Sequence, residues 1–146
     1  MIYQKRNIDL SETPFLQWSW RVENIFPSIK EKTRQGDDFA ARLYIAVKGK
    51  TGSIYPRTLT YVWATNAKIN AYWQSPYSSQ AILVAANSGE KETGKWITHK
   101  RNLKEDLQYH FKEEFQNIEG IAIMTDSDNF QSEATAYYKN ILFSKD

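Results

Sequence analysis

Apolar and polar positions alternate along several stretches of the chain. In residues 15–22 large apolar side chains occupy every second position with polar ones between them, and residues 39–48 and 58–65 show a similar alternation of apolar positions. A period of two places one set of side chains on each face of a half-buried β-strand. Residues 80–87 are instead almost continuously apolar, which predicts a central strand buried on both faces. The predicted strands cover residues 1–8, 15–22, 39–48, 58–65, 80–87, 96–101, 119–125 and 134–144.

The period changes after residue 101. Asn102 can cap a helix, and Glu105 three positions later completes the pattern of a capping box. Apolar side chains at Leu103, Leu107 and Phe111 then recur at a spacing of four, which places them on one stripe of a helix. The sequence therefore predicts one short helix over residues 103–113.

The segments between the predicted strands are polar and rich in turn-forming residues. Residues 23–38 contain Pro27, Gly36 and many charges, which predicts a surface loop with room for one helical turn. Eight strands with one helix, and no internal repeat or linker, predict an all-β fold with a single domain over residues 1–146. The expected architecture is an antiparallel β-sandwich of the jelly-roll type found in galactose-binding and carbohydrate-binding modules.

Composition agrees with this fold and excludes several classes of function. Aromatic residues make up 14% of the 146 residues, and they fit half-buried sheet surfaces. A net charge of +2 with dispersed cations lacks the basic stripe that nucleic-acid binding needs. The absence of cysteine excludes thiol catalysis, Cys-ligated zinc and disulfides. No run approaches the roughly 18 apolar residues of a membrane span, and Tyr3-Gln4-Lys5-Arg6 is unlike the apolar core of a signal peptide.

Acidic and amide side chains concentrate at two places. They are Asp37 and Asp38, before the third predicted strand, and Asp126, Asp128, Asn129 and Glu133, in the last predicted loop. Oxygen-rich loops of this kind can hold calcium, although the last loop lacks the glycine and the glutamate spacing of the helix–loop–helix calcium pattern. The same side chains commonly supply only turn hydrogen bonds to the backbone. A carboxylate pair could also serve as the acid and nucleophile of a glycosidase, with a separation that sequence does not define.

Aromatic side chains supply the strongest binding argument. Tyr72, Trp73 and Tyr77 lie in a loop-like segment where their rings can be exposed for stacking on a sugar or another flat ligand. The tryptophans and tyrosines on regular strands are expected in the core instead. Arg42 lies in mid-strand beside Tyr44, so it must face solvent or be paired, and Asp38 or Asp126 is the expected partner. His99 and His110 belong to no catalytic or zinc-binding motif and are expected to be structural or solvated.

Five segments of the chain form a recognisable set: WSWRV (18–22), GDDFAARLY (36–44), YVWA (61–64), HKRNLKEDL (99–107) and IMTDSDNFQSEATAYYKNI (123–141). Together they resemble the bacterial family known as domain of unknown function 3047. The resemblance implies no established activity. It implies a β-sandwich similar to carbohydrate-binding modules and export from the cell to the periplasm or beyond, in which case the sequence here would begin after a removed leader. It directs attention to Arg42, Asp37, Asp38, Asp126, Asp128 and Asn129, which lie in its most recognisable motifs.

These observations favour a non-catalytic module that binds a glycan or another polar ligand of the cell envelope. The expected ligand-binding side chains are Tyr72, Trp73 and Tyr77 for stacking, and Arg42, Asp38, Asp126, Asp128 and Asn129 for hydrogen bonding. No cofactor is expected, apart from the calcium considered above. Two alternatives stay open. One is a glycan hydrolase or lyase that uses Asp126 or Asp128 with Asp38, and the other is a structural domain whose aromatic residues meet a protein partner.

Overall fold

The computed structural model describes residues 1–26, 30–125 and 133–146. Its strands are β1 (Ile2–Asp9), β2 (Phe15–Val22), β3 (Arg42–Val47), β4 (Arg57–Ala64), β5 (Tyr72–Gln74), β6 (Ala81–Ser88), β7 (Ile97–Asn102), β8 (Asn117–Met124) and β9 (Ala136–Ser144). One α-helix, α1 (Leu103–Phe111), follows β7, and a single 3₁₀ turn covers Arg34–Gly36. That turn lies within residues 23–38, the polar loop that was expected to have room for one helical turn.

The described strands form two sheets. A six-stranded sheet has the order β1-β8-β3-β4-β6-β5, and a three-stranded sheet has the order β7-β2-β9. The pairs are antiparallel except for β4 and β6, which run parallel. The predicted β-sandwich with one short helix is therefore confirmed, with one parallel pair in an otherwise antiparallel arrangement. The jelly-roll connectivity stays a prediction.

The main core lies between the two sheets. Its largest side chains come from the alternating positions of β2 and β4, and they are fully or almost fully buried: Trp18, Trp20, Tyr61 and Trp63. The Trp18 and Tyr61 rings meet across the sheets at 4.9 Å between centroids. Burying such rings removes large apolar areas from water, and each Å² of apolar surface buried contributes about 25 cal/mol of stability. The four rings are therefore expected to contribute substantially to the stability of the sandwich. The sequence prediction for these four residues is confirmed.

A second, smaller core covers the outer face of the six-stranded sheet. Phe39, Val62, Leu83 and Ala85 are buried there, and Trp73 packs against them. Because Val84 and Ala86 of the same strand enter the main core, β6 is buried on both faces, as its continuous apolar run predicts. β6 lies between β4 and the short edge strand β5, which gives its backbone a partner on each side.

The helix begins where the sequence predicts. The Asn102 side-chain oxygen accepts the Glu105 backbone N–H at 3.2 Å, and the helix ends as Lys112 takes a left-handed conformation with φ 55°. β5 was not predicted. Its residues were expected in a loop-like segment, and this prediction is wrong for Tyr72–Gln74, because three residues are too few to show a period.

A buried carboxylate organises the turn after β4. Glu31 is 4% exposed, and its oxygens accept the backbone N–H groups of Thr65 at 2.5 Å, Asn66 at 2.9 Å and Ala67. Three donors on one carboxylate satisfy backbone groups that would otherwise be buried without partners. The long polar loop is thereby joined to the end of β4.

No helix among the described residues is long and apolar enough to cross a membrane.

Candidate functional site

An exposed aromatic patch lies where the edge strand β5 meets helix α1. Tyr72 and Tyr109 are 51% and 55% exposed, their rings meet edge to face at 5.8 Å, and their hydroxyls are 3.4 Å apart. The His110 ring lies 4.8 Å from Tyr72 and 5.0 Å from Tyr109. We call Tyr72, Tyr109 and His110 the tyrosine patch. Edge-to-face contact holds both phenol rings in place while half of each stays in water.

A fixed polar network lies next to the tyrosine patch. The Arg101 Nε donates to Asp106 Oδ2 at 2.8 Å, the Arg101 Nη1 donates to the Asn70 side-chain oxygen at 2.8 Å, and the Tyr61 hydroxyl donates to Asp106 Oδ2 at 2.6 Å. Asn70 has a positive φ of 70°, a backbone conformation that asparagine tolerates better than most residues. The network presents guanidinium, carboxylate and amide groups beside the rings.

An open depression of about 440 Å³ lies along the same helix face. Its described lining is Glu105, Asp106, Gln108 and Tyr109. Burial, followed by the charge of Asp106, raises the pKa of the Tyr61 hydroxyl well above its usual value, so Tyr61 remains a proton donor to that carboxylate. Burial lowers the pKa of His110, which keeps its imidazole neutral at neutral pH. The depression thus carries two carboxylates, one amide and one phenol next to the tyrosine patch.

The two other predicted stacking residues lie away from the tyrosine patch. Trp73 follows Tyr72 on β5 and faces the opposite side of the sheet, where its ring lies 6.1 Å from Phe39 and under Lys32. Tyr77 is 53% exposed, but its hydroxyl donates to the Arg34 backbone carbonyl at 3.0 Å. Tyr72 and Trp73 are separated because neighbouring positions on a strand point to opposite faces, and Tyr77 lies in the turn after β5.

Arg42 is buried and paired within the fold. It is 6% exposed; its Nη1 lies 3.4 Å from Asp37 Oδ2 and its Nη2 donates to the Asp37 carbonyl at 2.5 Å. The guanidinium also lies 4.7 Å from the Phe39 ring. Of the two possibilities given for Arg42, solvent exposure or pairing, the structure shows pairing, and Asp37 is a described partner. Pairing with Asp38 or Asp126 stays a prediction. These contacts anchor the chain before β3, and a ligand-binding role for Arg42 stays a prediction.

The acidic candidates divide into described and undescribed residues. Asp37 and Asp38 are 6% and 0% exposed. Asp126, Asp128 and Asn129 lie outside the described residues, so the calcium site and the carboxylate pair with Asp38 stay predictions. Within residues 1–26, 30–125 and 133–146, no three histidine, aspartate or glutamate side chains are grouped so that they could hold a metal ion.

His99 is partly buried against the tryptophans of the main core and does not belong to the tyrosine patch. Its Nε2 lies 2.5 Å from the Asn87 side-chain oxygen, and its ring is 4.9 Å from Trp18 and 5.6 Å from Trp20. Burial, with a further contribution from the charge of Arg101, lowers the pKa of His99 to about 4. A neutral imidazole with these contacts is a packing residue, as the sequence analysis expected.

Sequence reasoning missed Tyr109, Arg101, Asp106 and Asn70 as site residues. A signal for Tyr109 was available, because the apolar stripe of α1 faces inward and leaves Tyr109 on the solvent side. The pairing of Tyr109 with Tyr72 had no local signal, since 37 positions separate them. Only the packing of α1 beside β5 brings these side chains together.

Fold and site together define a class of protein. The class is a β-sandwich of two sheets with one short helix, whose surface carries an exposed aromatic and polar patch. The chain belongs to the family described as protein of unknown function, DUF3047, whose model matches residues 1–142. The resemblance drawn from the sequence motifs is therefore confirmed. No curated protein matches the chain.

Proposed function

We propose that this protein is a non-catalytic module that binds a glycan at the tyrosine patch and the adjoining polar network. The single observation that carries the proposal is the pairing of two half-exposed tyrosine rings, Tyr72 and Tyr109, beside the fixed Arg101–Asp106 pair. Sugar rings offer an apolar C–H face to aromatic side chains and hydroxyls to planar polar groups. Both kinds of partner are present side by side.

The rigidity of these groups supports the proposal. Tyr72 is on a strand paired with β6, and Tyr109 is on a capped helix, so neither ring depends on a loop for its position. The Asp106 carboxylate is held by Tyr61 and Arg101. Ordering flexible side chains on binding costs roughly 0.5–1.5 kcal/mol each, and a site that is already ordered avoids much of that cost.

The polar lining of the depression supports a saccharide over a compact apolar ligand. The described lining contains two carboxylates, one amide and one phenol. An apolar molecule would leave these polar groups desolvated without partners, whereas the hydroxyls of a sugar can replace the water they lose.

The test is a glycan array of neutral and amino-sugar oligosaccharides, followed by titration calorimetry with the saccharide that binds best. Tyr72→Ala and Tyr109→Ala are each expected to weaken binding about tenfold, since each removes a stacking face. Tyr72→Phe keeps the ring and is expected to retain most of the affinity. Tyr137→Ala is the matched control, because Tyr137 is 50% exposed on the other sheet.

Binding that survives both alanine substitutions would contradict the proposal, as would an array on which no saccharide binds. Trp73→Ala is not a suitable probe, because Trp73 packs against the second core and its loss changes stability as well. Circular dichroism of each variant establishes that the sheet structure is retained before affinities are compared.

A further inference from the structure

The two sheets part at the edge opposite the tyrosine patch. β1 is the last strand of the six-stranded sheet, β9 is the last strand of the three-stranded sheet, and β8 pairs with β1. Side chains of these three strands enclose a groove of about 510 Å³ between the sheets. We call it the inter-sheet groove. Its volume is within the range of about 300–1,000 Å³ that is typical of small-molecule sites.

The lining of the inter-sheet groove is mainly apolar. The described apolar side chains include Ile2, Ile8, Ile121, Ile123, Ile141 and Phe143. Five of these pack against the main core, and Ile2 is 72% exposed. Gln4 and Thr13 are the uncharged polar members of the lining, and the one ring, Phe143, is partly buried. A mainly aliphatic wall of this kind is better suited to a flexible alkyl chain than to a sugar.

One cation lies on this lining. Arg6 is the only charged residue among the described groove residues, and its side chain is exposed to solvent. It lies at the irregularity in the pairing of β1 with β8, between Lys5 and Ile8. A guanidinium can form two parallel hydrogen bonds with a carboxylate. The inter-sheet groove therefore combines an apolar channel with a binding group for an anionic head.

Addition of a strand from another protein fits this edge less well. The pairing irregularity distorts β1, and Lys5 and Arg6 place two positive charges on it. Irregular pairing and charged side chains are the features by which exposed sheet edges avoid further pairing. Charge complementarity thus selects a small anionic amphiphile over a second copy of the chain.

We propose that the inter-sheet groove binds a free fatty acid, with its alkyl chain against the isoleucine side chains and its carboxylate on Arg6. The proposal is independent of glycan binding, because the groove and the tyrosine patch lie at opposite edges of the six-stranded sheet.

The experiment is titration calorimetry of the full chain with dodecanoate below its micelle concentration. We expect saturable binding of one molecule per chain, and Arg6→Gln is expected to weaken it about tenfold through loss of the charge-assisted hydrogen bonds. Lys5→Gln is the matched control, because Lys5 is adjacent on the same strand but does not line the groove. The affinity of this variant for dodecanoate is expected to be unchanged. Ile2→Asn, at an exposed position, is expected to weaken binding without affecting the fold.

Two further measurements make the result specific. Methyl NMR is expected to show shifts of the Ile121 and Ile141 methyl groups on addition of dodecanoate, and a neutral detergent with the same chain, dodecyl maltoside, is expected to bind more weakly. The proposal is overturned if dodecanoate gives no saturable heat, if Arg6→Gln and Lys5→Gln bind equally, or if the shifts occur away from the groove. A dimer that is found by light scattering and lost on Ile2→Asn would also overturn it.

Discussion

The side-chain oxygen of Asn87 lies 2.5 Å from Nε2 of His99 and so joins the two sheets through a polar contact inside the sandwich. Asn87 is on β6 of the six-stranded sheet, and His99 is on β7 of the three-stranded sheet. The same oxygen accepts Trp20 Nε1 at 2.7 Å. Because the amide oxygen is an acceptor, Nε2 of His99 must carry a proton here, and burial of the ring favours its neutral form.

The partial burial of His99 predicts a pH dependence of stability. The pKa of His99 is lowered from 6.5 to about 4 by burial. Between these two pKa values the unfolded chain binds a proton that the folded chain does not. The free energy of unfolding therefore falls as the pH falls through this window, and the contribution of His99 is complete only above it. The loss from His99 is expected to reach about 3 kcal/mol at most. Urea unfolding followed at a series of pH values measures it.

Two variants separate the contribution of His99 from that of the other imidazole. His99→Gln removes the titrating group and is expected to flatten the pH dependence, while His110→Gln is expected to flatten it less. Proton NMR should find the His99 ring titrating near pH 4. A His99 ring that titrates near its ordinary value would refute the prediction.

Removal of Arg42 from the Arg42–Asp37 pair is expected to cause a large loss of stability. Both side chains are buried, so Arg42→Ala leaves the Asp37 carboxylate without the guanidinium in a poorly solvated site. Breaking a buried pair in this way costs about 3–5 kcal/mol. Arg21→Ala is the matched control, because Arg21 is paired with Glu23 at the surface, where the expected loss is about 1 kcal/mol or less. Equal losses in the two variants, measured by urea unfolding, would argue against a buried pair.

Substitution of Glu31 is expected to lower stability, although glutamate side chains are usually exposed and tolerate substitution. Glu31→Gln replaces one acceptor oxygen by an NH₂ group that opposes a backbone N–H, and the expected loss is about 1–3 kcal/mol. Hydrogen exchange at Thr65, Asn66 and Ala67 is expected to accelerate together. Glu119→Gln, at an exposed position, is the control and is expected to leave both stability and exchange unchanged. Unchanged exchange in Glu31→Gln would contradict the role of this carboxylate.

Periodicity identified most of the fold because most of the strands are long enough to repeat it. The bounds of β2 match the prediction at both ends, and the Asn102 cap marks the start of α1. β5 escaped detection because a strand of three residues shows no repeat. The parallel pairing of β4 with β6 was not predicted, since apolar patterns contain no information on strand direction.

The candidate site was predictable only in part. Tyr72 was identified from its polar surroundings in sequence, and it is exposed as expected. Trp73 and Tyr77 were grouped with it by proximity along the chain, but they contact Phe39 and Arg34 on other surfaces. Proximity in sequence does not predict a common face, because successive strand residues alternate between faces.

The sequence by itself determined which side chains are apolar at every second position, and therefore which rings enter the core and that the fold is a sandwich of strands. Only the tertiary structure decided which distant residues meet: Tyr72 with Tyr109, Asn87 with His99, and Arg6 with the edge of the inter-sheet groove. The physical reason is that burial depends on local pattern, whereas a site depends on strand order and register, which long-range packing sets.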